Sequence, residues 1–396
     1  MVGTVSISAK KFYSHVIPLF MGIRGRLNFL NMARHGPLSE KSYRHQFEQE
    51  FDFLEFNTRA LQTFGSGRYI AAFDPSFVTK SGKHTPHMGM FWSGCEQRSK
   101  RGLEVGVLAA IDLQHETAFP LKVQQSLSSK ELRAKNSTSV DQYVEQITDS
   151  AWALKELGIT YLTADAFFAK RNFITAVREG CGIHVITKAR NDANFLYPYN
   201  GPQRVVGKRG RDKKYDGKVD VKKFDRRRVK TVCEDADKRI SCGNLYAVQL
   251  KQLVKAVFIE EKRKGELTGT YAILICTDTE LDAISVYKYY TLRFQIEFLI
   301  RDAKQFTGLE DCQARSENKL HFHFNTSLAT VAVAKGAFHF ALPDAQERPF
   351  SMHDVKTLAF NQLFMKRIFS NSHFDLSSRK IRRLYREASE FGLRAA

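Results

Sequence analysis

Six cysteines are spread over 396 residues, at positions 95, 181, 233, 242, 276 and 312, with no C-x2-C pair among them. That excludes a disulfide framework and a zinc ribbon and suits reduced thiols. His84 and His87 near Cys95 lack a fourth ligand at a suitable spacing for zinc. No apolar run approaches the ~18 residues of a membrane helix. The opening stretch MVGTVSISAKKFYSH lacks the basic-then-apolar order of a signal peptide, so a cytoplasmic location is expected. A glycine-rich phosphate loop ending in Lys-Ser or Lys-Thr is also missing, which leaves ATP use unsupported. Acid is short as well: 42 Asp and Glu face 61 Lys and Arg, giving a net charge of +19 and a pI near 9.6. A polyanion is the simplest partner for such a chain, and nucleic acid is the commonest one.

What is present reads as several regions. Residues 1–65 are expected to be helical, broken at Gly22, Gly25, Gly36, Pro37 and Gly65. Ser39 can cap a helix carrying Tyr43, Phe47, Phe51 and Leu54 on its apolar face. Arg24, Arg26, Arg34, Lys41 and Arg44 make this region basic enough to touch DNA, although a helical lid packed on a core would look the same. At Arg68 the period changes to a strand, RYIAAFDPSF, expected to end at Asp74 before Pro75. Strands at 103–113 and 117–127, a helix over 142–157, a strand at 159–168 ending near Asp165, a helix from Lys170 to Val177 and a strand at 182–190 follow. This order indicates an α/β core over 66–190.

Between 191 and 269 the character shifts to β-rich and basic. Residues 204–230 hold thirteen Lys and Arg against four Asp, spaced by glycines. Such a run suits a phosphate-gripping hairpin or a free tether. TYAILICTDTE (270–280) reads as the last core strand, with 270–342 completing the core and 343–396 forming a helical end.

After that strand comes YKYYTLRFQIEFLIRDAK, residues 287–304. Read as one helix, it buries Leu292, Ile296, Leu299 and Ile300. Tyr290, Arg293, Glu297 and Lys304 then point within roughly 60° of one another. A solvated amphipathic helix would also carry a charged face, but the full spacing Tyr-x2-Arg-x3-Glu-x6-Lys is uncommon by chance. It resembles the YREK signature of bacterial insertion-sequence transposases, in the DDE branch with an RNase H-like catalytic core.

The resemblance covers about Arg68 to Lys335 and implies a mixed five-stranded sheet with flanking helices, interrupted by the β-rich insertion. It implies Asp74, Asp165 and Glu297 as catalytic carboxylates holding Mg²⁺, with Mn²⁺ as a substitute. Asp278, ending its strand, is a rival third acid without the Tyr, Arg and Lys partners. Tyr290, Arg293 and Lys304 are implied to hold DNA phosphates, with Lys188, Arg190 and Tyr271 as further DNA contacts. The Pro-Ser after Asp74 departs from many relatives, which carry another acid or Thr there. The implied activity is metal-dependent cleavage at terminal inverted repeats and strand transfer into target DNA, a cut-and-paste route with a hairpin as one option. Double-stranded DNA and a second copy in a synaptic complex are the implied partners, in a bacterial, nucleoid-associated setting and without a membrane. An RNase H-like nuclease or resolvase without strand transfer, and a domesticated DNA-binding protein without catalysis, are the alternatives.

Overall fold

The computed structural model describes residues 7–82, 84–202, 212–341, 349–370 and 378–393. Four helices open the chain: α1 (Ile7–Gly22), α2 (Phe29–His35), α3 (Glu40–Gln46) and α4 (Phe53–Phe64). Strands β1 (Tyr69–Val78), β2 (Gly89–Ser93), β3 (Arg98–Asp112) and β4 (Thr117–Gln125) follow, then α5 (Ser129–Ala134), α6 (Ser139–Thr148) and α7 (Ala151–Glu156). Next come β5 (Tyr161–Ala164), α8 (Arg171–Cys181) and β6 (His184–Ala189). The basic region contributes β7 (Phe195–Pro198), β8 (Tyr215–Lys218), β9 (Lys230–Glu234), β10 (Lys238–Ala247) and β11 (Gln252–Arg263) before β12 (Glu266–Cys276). Helices α9 (Ala283–Leu292), α10 (Phe294–Phe306), α11 (Glu317–Ala341), α12 (Met352–Ser370) and α13 (Arg379–Ser389) end it.

The chain folds as two compact units, each assembled from separated stretches. One holds residues up to Gly67, Pro75–Gln142 and everything from Ile296 onward. Its sheet sets β3 between β2 and β4, antiparallel to both. Helix α11 packs on β4 and is buried along most of its length because its sequence is apolar all round. Its polar Asn325 is satisfied as a clamp, accepting from the Val123 N–H at 3.1 Å and donating to the Val123 carbonyl at 2.9 Å. Ser39 caps α3 as expected, but that helix ends at Gln46, leaving Phe51 outside it and Leu54 in α4. Phe47, just after α3, packs on Phe322 of α11 with ring centroids 4.4 Å apart.

The other unit holds Arg68–Asp74 and Tyr143–Gln295. In its sheet β1, β5 and β6 run parallel, β12 pairs antiparallel with β6, and β11 and β10 continue outward. Strands β7 and β9 both pair with β10, and β8 pairs with β7. Ile186, Val257, Leu274, Cys276 and Val286 form a core that seats α9 on this sheet.

Three local expectations need correction. Strand β2 has no counterpart in the sequence pattern, because Gly89–Ser93 is short and alternates burial. The helix expected over 142–157 is two, α6 and α7, divided at Asp149 and Ser150. Finally, β1 does not stop at Asp74 but runs through Pro75 to Val78. Proline survives inside a strand where no neighbour needs its missing N–H.

Candidate active site

The sheet positions the first two acids. In the parallel pair β1–β5, Ala71 lies opposite Leu162 and Ala72 opposite Thr163. Asp74 follows Ala72 by two residues and Asp165 follows Thr163 by two, so both acids come just after the same end of this pairing. Burial along β1 is complete up to Phe73 and relaxes at Asp74, Pro75 and Ser76, so the acid sits where the strand leaves the core. Two buried threonines lock the arrangement. Thr163 donates from Oγ1 to the Ala71 carbonyl at 3.0 Å, and Thr187 on β6 donates from Oγ1 to the Asp165 carbonyl at 2.6 Å. Asp165 itself has extended backbone and caps the short 3₁₀ turn Ala166–Phe168. Its Oδ1 accepts from the Phe167 N–H at 2.9 Å, while Oδ2 makes no hydrogen bond among the described residues.

Asp278 lies at the opposite end of these strands. Its Oδ2 accepts from the hydroxyl of Tyr161, the first residue of β5, at 2.7 Å. Four residues of strand, about 13 Å, separate Tyr161 from Asp165. Burial pushes the Asp278 carboxyl up, but the Tyr161 hydroxyl and the Glu280 N–H outweigh it and hold it below the usual range. The Asp278 carboxylate is thus hydrogen-bonded at the end of β5 away from Asp165.

The polar face expected on one helix is divided. Helices α9 and α10 meet at Arg293, whose N–H donates to the Tyr290 carbonyl three residues back, at 3.2 Å. An alignment projected from one continuous helix therefore no longer follows for all four side chains. Arg293 is 6% exposed, and its guanidinium carbon lies 5.0 Å from the Phe294 ring centroid and 5.6 Å from that of Tyr290. Glu297 is in the first turn of α10, and Lys304, seven residues later, falls on the same face. The Lys304 ammonium donates to the Phe77 carbonyl at 2.6 Å and lies 3.6 Å from Glu310.

Lys188 is within β6, opposite Leu274, and Arg190 follows that strand exposed. Tyr271 is on β12, its hydroxyl donating to the Asn191 carbonyl at 3.3 Å. The sequence pattern does not single out Lys170 and Phe167. With Ala166 and Arg190 they line a small pocket of about 210 Å³ beside the Asp165 turn. Lys170 Nζ sits 3.4 Å from the Phe167 ring centroid. Burial and then Arg190 lower the Lys170 ammonium, against the pull of Asp165. A lysine five residues after the acid, in DAFFAK, was the available signal.

The basic run also changes meaning. Part of it, residues 203–211, lies outside the described residues. Arg228 is a tie rather than a free cation: it donates to the Pro198 carbonyl at 2.6 Å and pairs with Asp216. Arg227 is 91% exposed at its side chain, with Asp225 at 3.3 Å.

Asp74 and Asp165 offer carboxylate oxygens, the donor type that a hard divalent ion takes. Among the described residues no group of three or more His, Cys, Asp and Glu stands close enough to hold a metal. Compared with known proteins, the chain matches the transposase DDE domain over residues 65–332. It belongs to the DDE transposase family. A search of curated proteins found no match. The mixed sheet with helices at both ends accords with the RNase H-like domain of that family, whose members are DNA-transposing nucleases that generally use divalent metals. No described helix is long and apolar enough to cross a membrane.

Proposed function

We propose that this transposase is of the bacterial YREK insertion-sequence group, cleaving DNA at terminal inverted repeats and joining the freed 3′ ends to target DNA. The placement of Asp74 and Asp165 just after the same end of the β1–β5 pairing supports the reading, since two carboxylates there would serve as ion ligands. Glu297 is the third carboxylate, placed in the first turn of the helix that follows Arg293. Asp74 and Asp165 would hold Mg²⁺ or Mn²⁺, with Glu297 brought in as the third ligand on metal binding, and the ion would supply Lewis-acid charge for the phosphoryl and leaving oxygens.

The chain's own residues do the positioning. Thr163 and Thr187 fix the backbone under the two aspartates. Arg293, near the Tyr290 and Phe294 rings and 6% exposed, offers a planar fork to a phosphate that enters beside it, and Tyr290 and Lys304 take neighbouring phosphates. Lys188, Arg190 and Tyr271 extend the DNA contact along the sheet, and excision proceeds within a two-copy synaptic complex, with a hairpin intermediate as one route.

The test uses the purified chain, Mg²⁺ and a duplex from the end of the element that encodes it. Nicked and target-joined products from the parent, both lost in Asp165→Asn, support the reading. Nicks without joined products would make it a nuclease lacking strand transfer, and hairpins are read as doubled lengths on a denaturing gel.

A further inference from the structure

One large groove lies apart from the carboxylates already described and has no role so far. It has a volume of about 1130 Å³ and is lined by Arg26, Arg44, Lys80, Arg315 and Lys319. These residues come from the α1–α2 link, α3, the loop after β1, and the segment leading into α11. Chain order gives no hint that they meet.

The groove is built rather than accidental. Asp311 accepts the Leu27 N–H at 2.9 Å, fastening the residue after Arg26 to the loop that carries Arg315. Gly308 starts that loop with φ +67, and a Cβ there would stand 2.7 Å from Asp311 Oδ2 and 2.8 Å from Leu27 Cβ. Only glycine allows both the backbone angle and the close approach. Lys80 donates to the carbonyls of Cys312 and Ala314, and Lys356 to that of Phe306, so both ends of the loop are pinned. Glu48 fixes the far wall, accepting from the Ser316 hydroxyl at 2.6 Å and pairing with Lys319 at 2.5 Å.

The charge within it is unbalanced. Glu310 and Asp311 also line the groove, but the Thr79 N–H and Lys304 engage Glu310, and the Leu27 N–H engages Asp311. Arg26 and Arg315 are exposed and have no carboxylate partner among the described residues. No aromatic side chain lines the groove, so nothing there would stack an unpaired base. It is also open and larger than a typical small-ligand pocket.

We infer that this groove holds the sugar-phosphate backbone of duplex DNA, with Arg26 and Arg315 as the phosphate-gripping groups and no reading of base sequence. The inference rests on the transposase reading and adds the surface that carries the duplex beside Lys304.

The experiment measures binding of the full chain to a 30-base-pair duplex of arbitrary sequence at several salt concentrations, without divalent metal. Arg26→Gln with Arg315→Gln should flatten the slope of log affinity against log salt by nearly 2, about 0.9 for each phosphate no longer neutralised. Arg26→Lys with Arg315→Lys should restore the slope, and melting curves of both variants should match the parent. The control is Arg101→Gln with Lys130→Gln, two exposed cations outside the groove. A slope change no larger than the control's overturns the inference, as does a loss seen only with single-stranded DNA. Nicking by the parent in Mg²⁺ is measured in parallel and bears on the transposase reading alone. A parent that never nicks but shows the groove-dependent slope refutes that reading and leaves the groove standing.

Discussion

Thr187 Oγ1 lies 2.6 Å from the carbonyl oxygen of Asp165, one strand away and fully buried. The second acid is thus held by a neighbouring strand as well as by its own turn. Thr187→Val should remove one neutral hydrogen bond, about 1 kcal/mol of stability, and leave the Asp165 carbonyl with the Phe168 N–H as its remaining donor. Cleavage should fall more steeply than stability, with a higher Mg²⁺ requirement, because the carboxylate loses its backbone anchor. Thr187→Ser should recover both. Equal metal titrations for Val and Ser variants would reduce Thr187 to a packing residue.

The four acids should separate cleanly. On the proposed function, Asp74→Ala, Asp165→Ala and Glu297→Ala should each abolish cleavage and leave DNA binding near the parent's level, because metal ligands are not DNA contacts. Asp278→Asn should keep cleaving, but melt earlier, because the Tyr161 hydroxyl then meets a neutral acceptor in place of a charged one, a loss on the order of 1 kcal/mol. An active Glu297→Ala protein would remove Glu297 from the site.

The Arg293 guanidinium lies 5.6 Å from the Tyr290 ring centroid and 5.0 Å from that of Phe294, contacts that suit a planar cation better than an ammonium. Arg293→Lys keeps the charge, yet should lose roughly ten- to a hundredfold in end cleavage, the equivalent of about 1.5–3 kcal/mol. Lys304→Arg retains a donor for the Phe77 carbonyl and should be better tolerated. If Arg293→Lys cleaves like the parent, the signature helix is only a surface.

In the basic region, the arginines should divide by partner. Arg228→Gln should destabilise the fold, measured by thermal melting, because Asp216 and the Pro198 carbonyl both lose their donor. Arg226→Gln with Arg227→Gln should melt normally and flatten the salt dependence of DNA binding. The reverse pattern would make this run a structural element without a DNA role.

Lys335 offers a pH test independent of catalysis. It is 4% exposed, donates to the Ala118 carbonyl at 3.0 Å, and burial pulls its ammonium down from 10.5 to about 8. Between those values the unfolded chain holds the proton and the folded chain does not. Stability from this group therefore rises with pH across that window, by up to about 3 kcal/mol. Urea melts of the parent and Lys335→Met at pH 7.5, 8.5 and 9.5 should show the parent gaining on the variant. A constant difference would mean that Lys335 stays charged in the fold.

The sequence by itself determined what neighbouring residues encode. Alternating apolar residues marked β5, β6 and β12, the 3.6-residue period marked α10, and Asp74 and Asp165 stood out at strand positions. The excess of basic residues pointed to a polyanion. Tertiary structure decided the rest. Whether Asp74 or Asp278 shares the Asp165 end of these strands depends on strand register, which is set by pairings far apart in the chain. That Pro75 does not end β1 depends on whether a neighbour needs its N–H. Arg228, one basic residue among many, became a tie only when Asp216 and Pro198 came within reach. The groove gathers Arg26, Arg44, Lys80, Arg315 and Lys319 from segments up to nearly three hundred residues apart. Local periodicity reflects free energies between residues a few positions apart. Register, ion pairing and groove charge arise only when distant segments pack, so no short stretch of sequence contains them.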